Sequence, residues 1–396
     1  MTMGTKRVME GSMAIAEAIK AARVQVISAY PITPQTHVAE FLAEMVANGE
    51  LEAEYLKVDA EFSAASVVFG SAATGARSYT ASSSQGLLLM TEVLYNMAGM
   101  RIPVVITGMN RSVSTPVSIQ PDHQDTITFR DTGMIQLYVE DSQDAYNTHI
   151  QAFKIGEDRD ILLPVLVAAD GWTISHTFEP VETFPQEEID AFLPPYNPLY
   201  KLDPKEPVTF GAIAMAHNLM EFRYLHHQVM HHAKKKVEEV AREFKERFGQ
   251  DYGGLIQEYR TDDAEVILVA MGSLVGTLKD AVDEMRETGT RVGVLKIRCY
   301  RPFPDEEIRR VLSRARTVCV LDRSISQGYG GPLTIDVKAA LHNQRGPQVL
   351  SFMAGLGGKD VTIESVKGIV EKAQKVADGI PVDEEPEFVN MNWNIV

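Results

Sequence analysis

The strongest constraint on this chain is an alternation of two periods that runs through it twice. Short apolar runs suited to buried strands alternate with stretches of helical spacing, which implies a parallel sheet covered on both faces. In the first block Ile15, Ile19 and Ala22 share one helical face, and VQVISAY (24–30) reads as a strand. Pro31 and Pro34 bracket a turn, and a second helix extends to about Met45. YLKV, ARSYTA, PVVITGM, IQLYVE and ILLPVLVAAD follow as strands. Among them lie an Ala-rich helix from Glu61 to near Gly75, a loop SSSQG (82–86), a helix over LLLMTEVLYNMAGM and a helix from about Gln143. From Trp172 to about Pro207 the chain is rich in proline and acidic residues and reads as an extended linker. A long helix over about Met215–Phe248 follows, its charged run a solvated face. The alternation then resumes. The expected organisation is a first α/β domain over 1–170, linker and long helix over 171–260, a smaller α/β domain over 261–379, and an acidic tail over 380–396 that wraps a partner or neighbour.

Composition closes off several classes of function. Hydrophobic residues make up 45% of the 396 and charged residues 23%, an ordinary globular mix. With 38 basic and 54 acidic residues the net charge is −16, the wrong sign for a nucleic-acid binder. The two cysteines, Cys299 and Cys319, sit in strand-like runs and read as buried, reduced thiols. They exclude a disulfide framework and a self-contained iron–sulfur cluster. No apolar run reaches the roughly 18 residues of a membrane span, and MTMGTKRVMEGS has no apolar signal core, so residence in the cytoplasm is expected.

Four segments can carry chemistry. In Tyr30-Pro31-Ile32-Thr33-Pro34 a strand ends and Thr33 stands where a helix N-cap belongs, with Pro34 at N1. That is either a plain helix start or an anion-binding helix end placed where open α/β sheets bind ligands. Glu61 is either a dipole partner in a first turn or a partly buried carboxyl facing a cofactor ring. In the long irregular stretch 110–125, Arg111 is either in a structural ion pair or holds a carboxylate or phosphate. His123, between two aspartates, reads as a hydrogen-bond hub in preference to a metal ligand or base. The SSSQG loop, with Gln85, can bring backbone amides to a ligand. His226, His227, His231 and His232 read as an exposed polar patch, and Gly355-Leu356-Gly357-Gly358 lacks the spacing of a dinucleotide loop. No metal-ligand set is assigned to this chain.

Taken in order, AYPITPQT, VDAEFSAASVVFGSAATGAR, TASSSQGLLLM, NRSV followed by PDHQD, RDTG, EYRTDDAEVILVAMGS, YRPFP and AGLGG span nearly the whole chain. They resemble the α subunit of multi-subunit 2-oxoacid:ferredoxin oxidoreductases, with pyruvate:ferredoxin oxidoreductase the nearest kind. The resemblance implies a thiamine-diphosphate pyrimidine-binding domain followed by an α/β domain similar to the transketolase C-terminal domain. Glu61 matches the glutamate that hydrogen-bonds the aminopyrimidine ring, Thr33 a substrate-binding threonine, and Arg111 the arginine that holds the substrate carboxylate. Tyr30, Pro31 and Gln85 fall in the matching cofactor-facing segments.

The resemblance also implies partners. Asp170-Gly171 is preceded by Ala169, so the Gly-Asp-Gly motif that holds diphosphate and magnesium is missing. A β subunit is expected to supply that half with Mg2+ and a [4Fe-4S] cluster, a ferredoxin-like δ subunit further clusters, and a γ subunit to complete the assembly. CoA is the expected co-substrate and ferredoxin or a similar acceptor takes the electrons. SIQPDHQD departs from the pyruvate enzymes in the loop expected beside the substrate, so pyruvate is favoured while branched-chain 2-oxo acids and an arylglyoxylate stay open. A non-catalytic scaffold or CoA-binding subunit, and a thiamine-dependent transferase without a redox step, are the rival readings.

Overall fold

The computed structural model of the chain describes residues 4–342, 346–380 and 386–396. Among these the strands form three sheets. The largest has seven strands in the order Cys299–Arg301, Ile135–Tyr138, Val165–Asp170, Val105–Asn110, Ser78–Ser82, Val26–Ala29, Glu54–Lys57. All its pairs are parallel except that of Cys299–Arg301, a short antiparallel edge donated by the C-terminal half. Val105–Asn110 and Val165–Asp170 are buried at every position, as strands covered on both faces must be. Their register sets Asn110 opposite Asp170 at the carboxyl edge.

The second sheet has six strands in the order Glu387–Phe388, Gln348–Met353, Thr317–Asp322, Val266–Ala270, Val292–Ile297, Ile256–Tyr259. Cys319 and Cys299 are free and fully buried, and burial pushes the Cys299 thiol up to about 12. The two halves are bolted together by buried charge. Lys296, 1% exposed, bonds Asp144 at 2.7 Å and Glu140 at 3.1 Å across the junction.

Four local expectations change. The segment after Trp172 contains a strand, Phe178–Thr183, which pairs antiparallel with Thr5–Glu10 in a small third sheet. It also contains a helix, Gln186–Phe192. Alternation along FEPVET is too broken by proline to be read as a strand, and the pairing partner is far away in sequence. The helix expected with Thr33 as N-cap begins only at Thr36. The Gln35 amide donates to Ile32 O at 2.8 Å, closing a turn where the helix was expected to start. SSSQG is not all loop: Ser84, Gln85 and Gly86 form the first turn of the helix Ser84–Leu89. In the tail, residues 381–385 lie outside the described residues, and Glu387–Phe388 adds an edge strand to the chain's own sheet.

Candidate functional site

The candidate residues follow the carboxyl ends of adjacent parallel strands. Tyr30–Thr33 follow Val26–Ala29, Glu61 follows Glu54–Lys57, Gln85 follows Ser78–Ser82, and Arg111 follows Val105–Asn110. In an open parallel sheet that edge is where strand-to-helix turns leave a crevice.

Glu61 opens the helix Glu61–Ala73 and is 7% exposed. No hydrogen bond or ion pair reaches its carboxyl among the described residues. It lies against the backbone of Gly86, where an added Cβ would fall 2.5 Å from Glu61 Oε1 and also strike Ser82 Oγ. Any larger residue there would have to displace the Glu61 carboxyl and the Ser82 hydroxyl. In the segment that carries Gly86, Ser82 Oγ, Ser83 Oγ and Gln85 Nε2 are buried polar atoms without partners. Unmet buried polar groups cost about 1–3 kcal/mol each, and a cluster of them at one edge is the signature of a place completed by something else. A cofactor ring with donor and acceptor atoms fits this donor set.

Arg111 stands on the other side of a single buried carboxylate, Asp125. Asp125 Oδ2 accepts from Ser84 N at 2.9 Å and from Arg111 N at 3.0 Å. Its Oδ1 accepts from Asn110 Nδ2 and Thr126 N, each at 2.8 Å. Burial pushes Asp125 up to about 7, and the N–H donors around it pull the other way. Ser84 is held with φ +50, a left-handed backbone that a non-glycine residue keeps only when its surroundings enforce it. Arg111 Nε donates to Ser118 O at 3.0 Å and Nη1 to Thr33 O at 3.1 Å. Nη2 has no partner among the described residues and is free for an anion. One network thus runs from the Glu61–Gly86 contact through Ser84 and Asp125 to Arg111 and Thr33. Tyr30, Pro31 and Thr33 are exposed beside it.

His123 is a hub. Its Nε2 bonds Asp170 Oδ1 at 2.8 Å and its backbone amide donates to Arg323 O at 2.7 Å. Asp170 Oδ2 accepts from Ser273 N, Ser273 Oγ and Arg323 Nη1 at 2.7, 2.6 and 2.7 Å. Arg323 and His123 hold Asp170 well below the usual carboxylate range, against its burial. Gly272, at φ +71, passes so close that a Cβ would lie 2.7 Å from Asp170 Oδ2. The glycine turn Leu356–Gly358 is also part of this clasp: Gly358 N donates to Pro121 O at 2.7 Å. Of the four histidines on the long helix Leu219–Phe248, His226 bonds Gly133 O at 2.9 Å, and His227 and His231 pair on the surface. Asp125, Ser84 and Gly86 carried no sequence signal of their role, because each acts through a residue distant in the chain.

The profile of the family described as pyruvate flavodoxin/ferredoxin oxidoreductase, thiamine diphosphate-binding, matches residues 17–242. That of the pyruvate:ferredoxin oxidoreductase core domain II matches 264–366. A pyruvate synthase subunit PorA of Methanosarcina barkeri is 49% identical, covering 98% of this chain and 97% of its own. A ketoisovalerate oxidoreductase subunit VorA of Pyrococcus abyssi is 42% identical, with 98% of each covered. A solved 2-oxoglutarate:ferredoxin oxidoreductase from Magnetococcus marinus shares the fold at TM-score 0.68 and 19% identity, over 93% of this chain and 65% of that one. A split-gene transketolase shares it at TM-score 0.57. With family profiles over both halves and full-length relatives beyond 40% identity, this chain belongs to the pyruvate flavodoxin/ferredoxin oxidoreductase family and is a subunit of a 2-oxoacid oxidoreductase.

Proposed function

We propose that the chain is the α subunit of a thiamine-diphosphate-dependent, CoA-acylating 2-oxoacid oxidoreductase that acts on pyruvate. The observation that carries this reading is the unpartnered Glu61 carboxyl seated on Gly86 and linked through Ser84 and Asp125 to Arg111. Thiamine diphosphate, when bound, supplies the carbon nucleophile that takes up the 2-oxo group and holds the electron pair left when carbon dioxide departs. Glu61 holds a proton at a ring nitrogen of the aminopyrimidine. Gly86 and Ser82 fix where that carboxyl can sit, and Gln85 closes the same edge. Arg111 orients the substrate carboxylate with its free Nη2, and its contact with the Thr33 backbone carbonyl holds that segment beside it. Tyr30 and Pro31 wall the crevice.

The missing Gly-Asp-Gly motif and the presence of only two cysteines, both buried, favour a β subunit for diphosphate, Mg2+ and a [4Fe-4S] cluster. They likewise favour a ferredoxin-like δ subunit for further clusters, with a γ subunit and ferredoxin completing the path. No helix among the described residues is long and apolar enough to cross a membrane; residence in the cytoplasm is part of the proposal. Pyruvate is preferred because a pyruvate synthase subunit is 49% identical over nearly full length, against 42% for the ketoisovalerate subunit.

The test is anoxic native purification through a tag on this chain, with CoA-dependent viologen reduction across pyruvate, branched 2-oxo acids and an arylglyoxylate. Iron-rich partners, bound thiamine and a preference for pyruvate are expected. An intact complex with thiamine but no iron and no reductase activity would replace this reading with a non-redox transferase.

A further inference from the structure

Glu10, His37 and His176 come from three separate places: the end of the Thr5–Glu10 strand, the first turn of the Thr36–Ala47 helix, and the bend after Asp170. Their candidate ligand atoms all lie within 4.8 Å of one another, and no other such trio occurs among the described residues. Glu10 Oε1 and His37 Nδ1 are 2.6 Å apart. The His176 ring lies with its centroid 4.5 Å from that of His37 and 4.5 Å from that of Trp172. Its Nδ1 lies 2.6 Å from Ser175 Oγ, and in the tautomer that donates there the Nε2 lone pair is open. That is the outer hydrogen bond which orients a metal-ligating imidazole.

We propose that Glu10, His37 and His176 form a site for one zinc-class divalent cation, with a fourth position left to water. Two imidazoles and a carboxylate are a zinc donor set. At bond lengths of about 2.0–2.1 Å, ligand atoms around a tetrahedral ion stand about 3.3 Å apart. Binding therefore displaces the proton between Glu10 and His37 and draws His176 inward, which rotation of the half-buried His37 permits.

The site stands behind the crevice. Trp172 Nε1 donates to Ile119 O at 2.6 Å, in the loop that follows Arg111, and His37 rides on the helix that follows Thr33. An ion here ties together the two segments expected to hold substrate. This holds whichever 2-oxo acid is used.

The experiment strips the full-length chain with a chelator and titrates Zn2+ against a chromophoric competitor. Wild type, H37A, H176A and the double variant H227A/H231A are compared. One tight site is expected, unchanged in H227A/H231A and weakened in H37A and H176A by at least the roughly 10–100-fold that outer-shell changes alone cost. X-ray absorption of the zinc-loaded H227A/H231A chain reads the ligands even if H37A or H176A folds poorly, and two imidazoles are expected. Absence of a tight site, its survival in both H37A and H176A, or a zinc shell without imidazole overturns the proposal.

Discussion

Glu61 and Asp170 are both buried carboxyl groups, and both belong to the carboxyl edge of the same parallel sheet. Asp170 is met by four polar atoms of His123, Ser273 and Arg323, whereas Glu61 is met by none among the described residues. Charge burial without partners is costly, so a chain keeps such a group where something else completes it. Asp170 joins the two α/β halves, and the proposed role of Glu61 is to meet a ligand. The pattern of satisfaction separates scaffold from site along one edge.

Replacing Glu61 by Gln keeps the shape and removes the proton-holding group. In the assembled enzyme, kcat should fall by about 10²–10⁴, the usual worth of a positioned acid or base. The melting temperature should stay unchanged. Full activity in E61Q would break the comparison from the Glu61 side.

Asp170→Asn should do the opposite. It leaves Arg323 buried without its counter-charge, which costs about 3–5 kcal/mol, read as a shift of the urea midpoint. The pH dependence follows from the direction of the shift. A carboxylate held below its unfolded value of about 3.9 contributes stability that is full above that pH and is lost as pH falls towards the folded value. Wild type should therefore lose stability steeply below about pH 4, and D170N should lose less. Equal acid sensitivity in both would show that Asp170 is not the clasp.

Gly86→Ala sharpens the claim about close approach. Its Cβ must push Glu61 aside, and a displacement of that size costs about 10²-fold in turnover. If G86A binds thiamine diphosphate and turns over normally, the contact is incidental. The smallest effect should come from H227A/H231A on the exposed helix face, within about 0.5 kcal/mol in stability and without change in activity.

Much of this was legible in sequence because it is local. Strand and helix periods survive in short windows, so the helix beginning at Glu61 and the buried run Val165–Asp170 could be read directly. Glu61, Arg111 and Thr33 were recognisable because each lies in a compact motif. What escaped depends on contacts between distant segments. Asp125 matters because it joins Ser84 to Arg111, and Gly86 because Glu61 comes down on it. The glycine turn at 355–358 lacks the spacing of a dinucleotide loop, and nothing local signals that it packs on Pro121 from the other α/β half. Glu10, His37 and His176 share no window at all. The late helix start at Thr36 was missed for a local reason, since a proline turn and a capped helix start use the same residue types.

By holding the proton at the aminopyrimidine ring nitrogen, Glu61 is proposed to let the neighbouring ring group remove the thiamine C2 proton, and the rate of hydrogen–deuterium exchange at C2 tests that role most directly. Measured by rapid quench and NMR on the anoxic complex without 2-oxo acid, exchange in E61Q should be slower than in wild type by at least about 10². Equal exchange rates in the two proteins, with cofactor bound in both, would contradict the account.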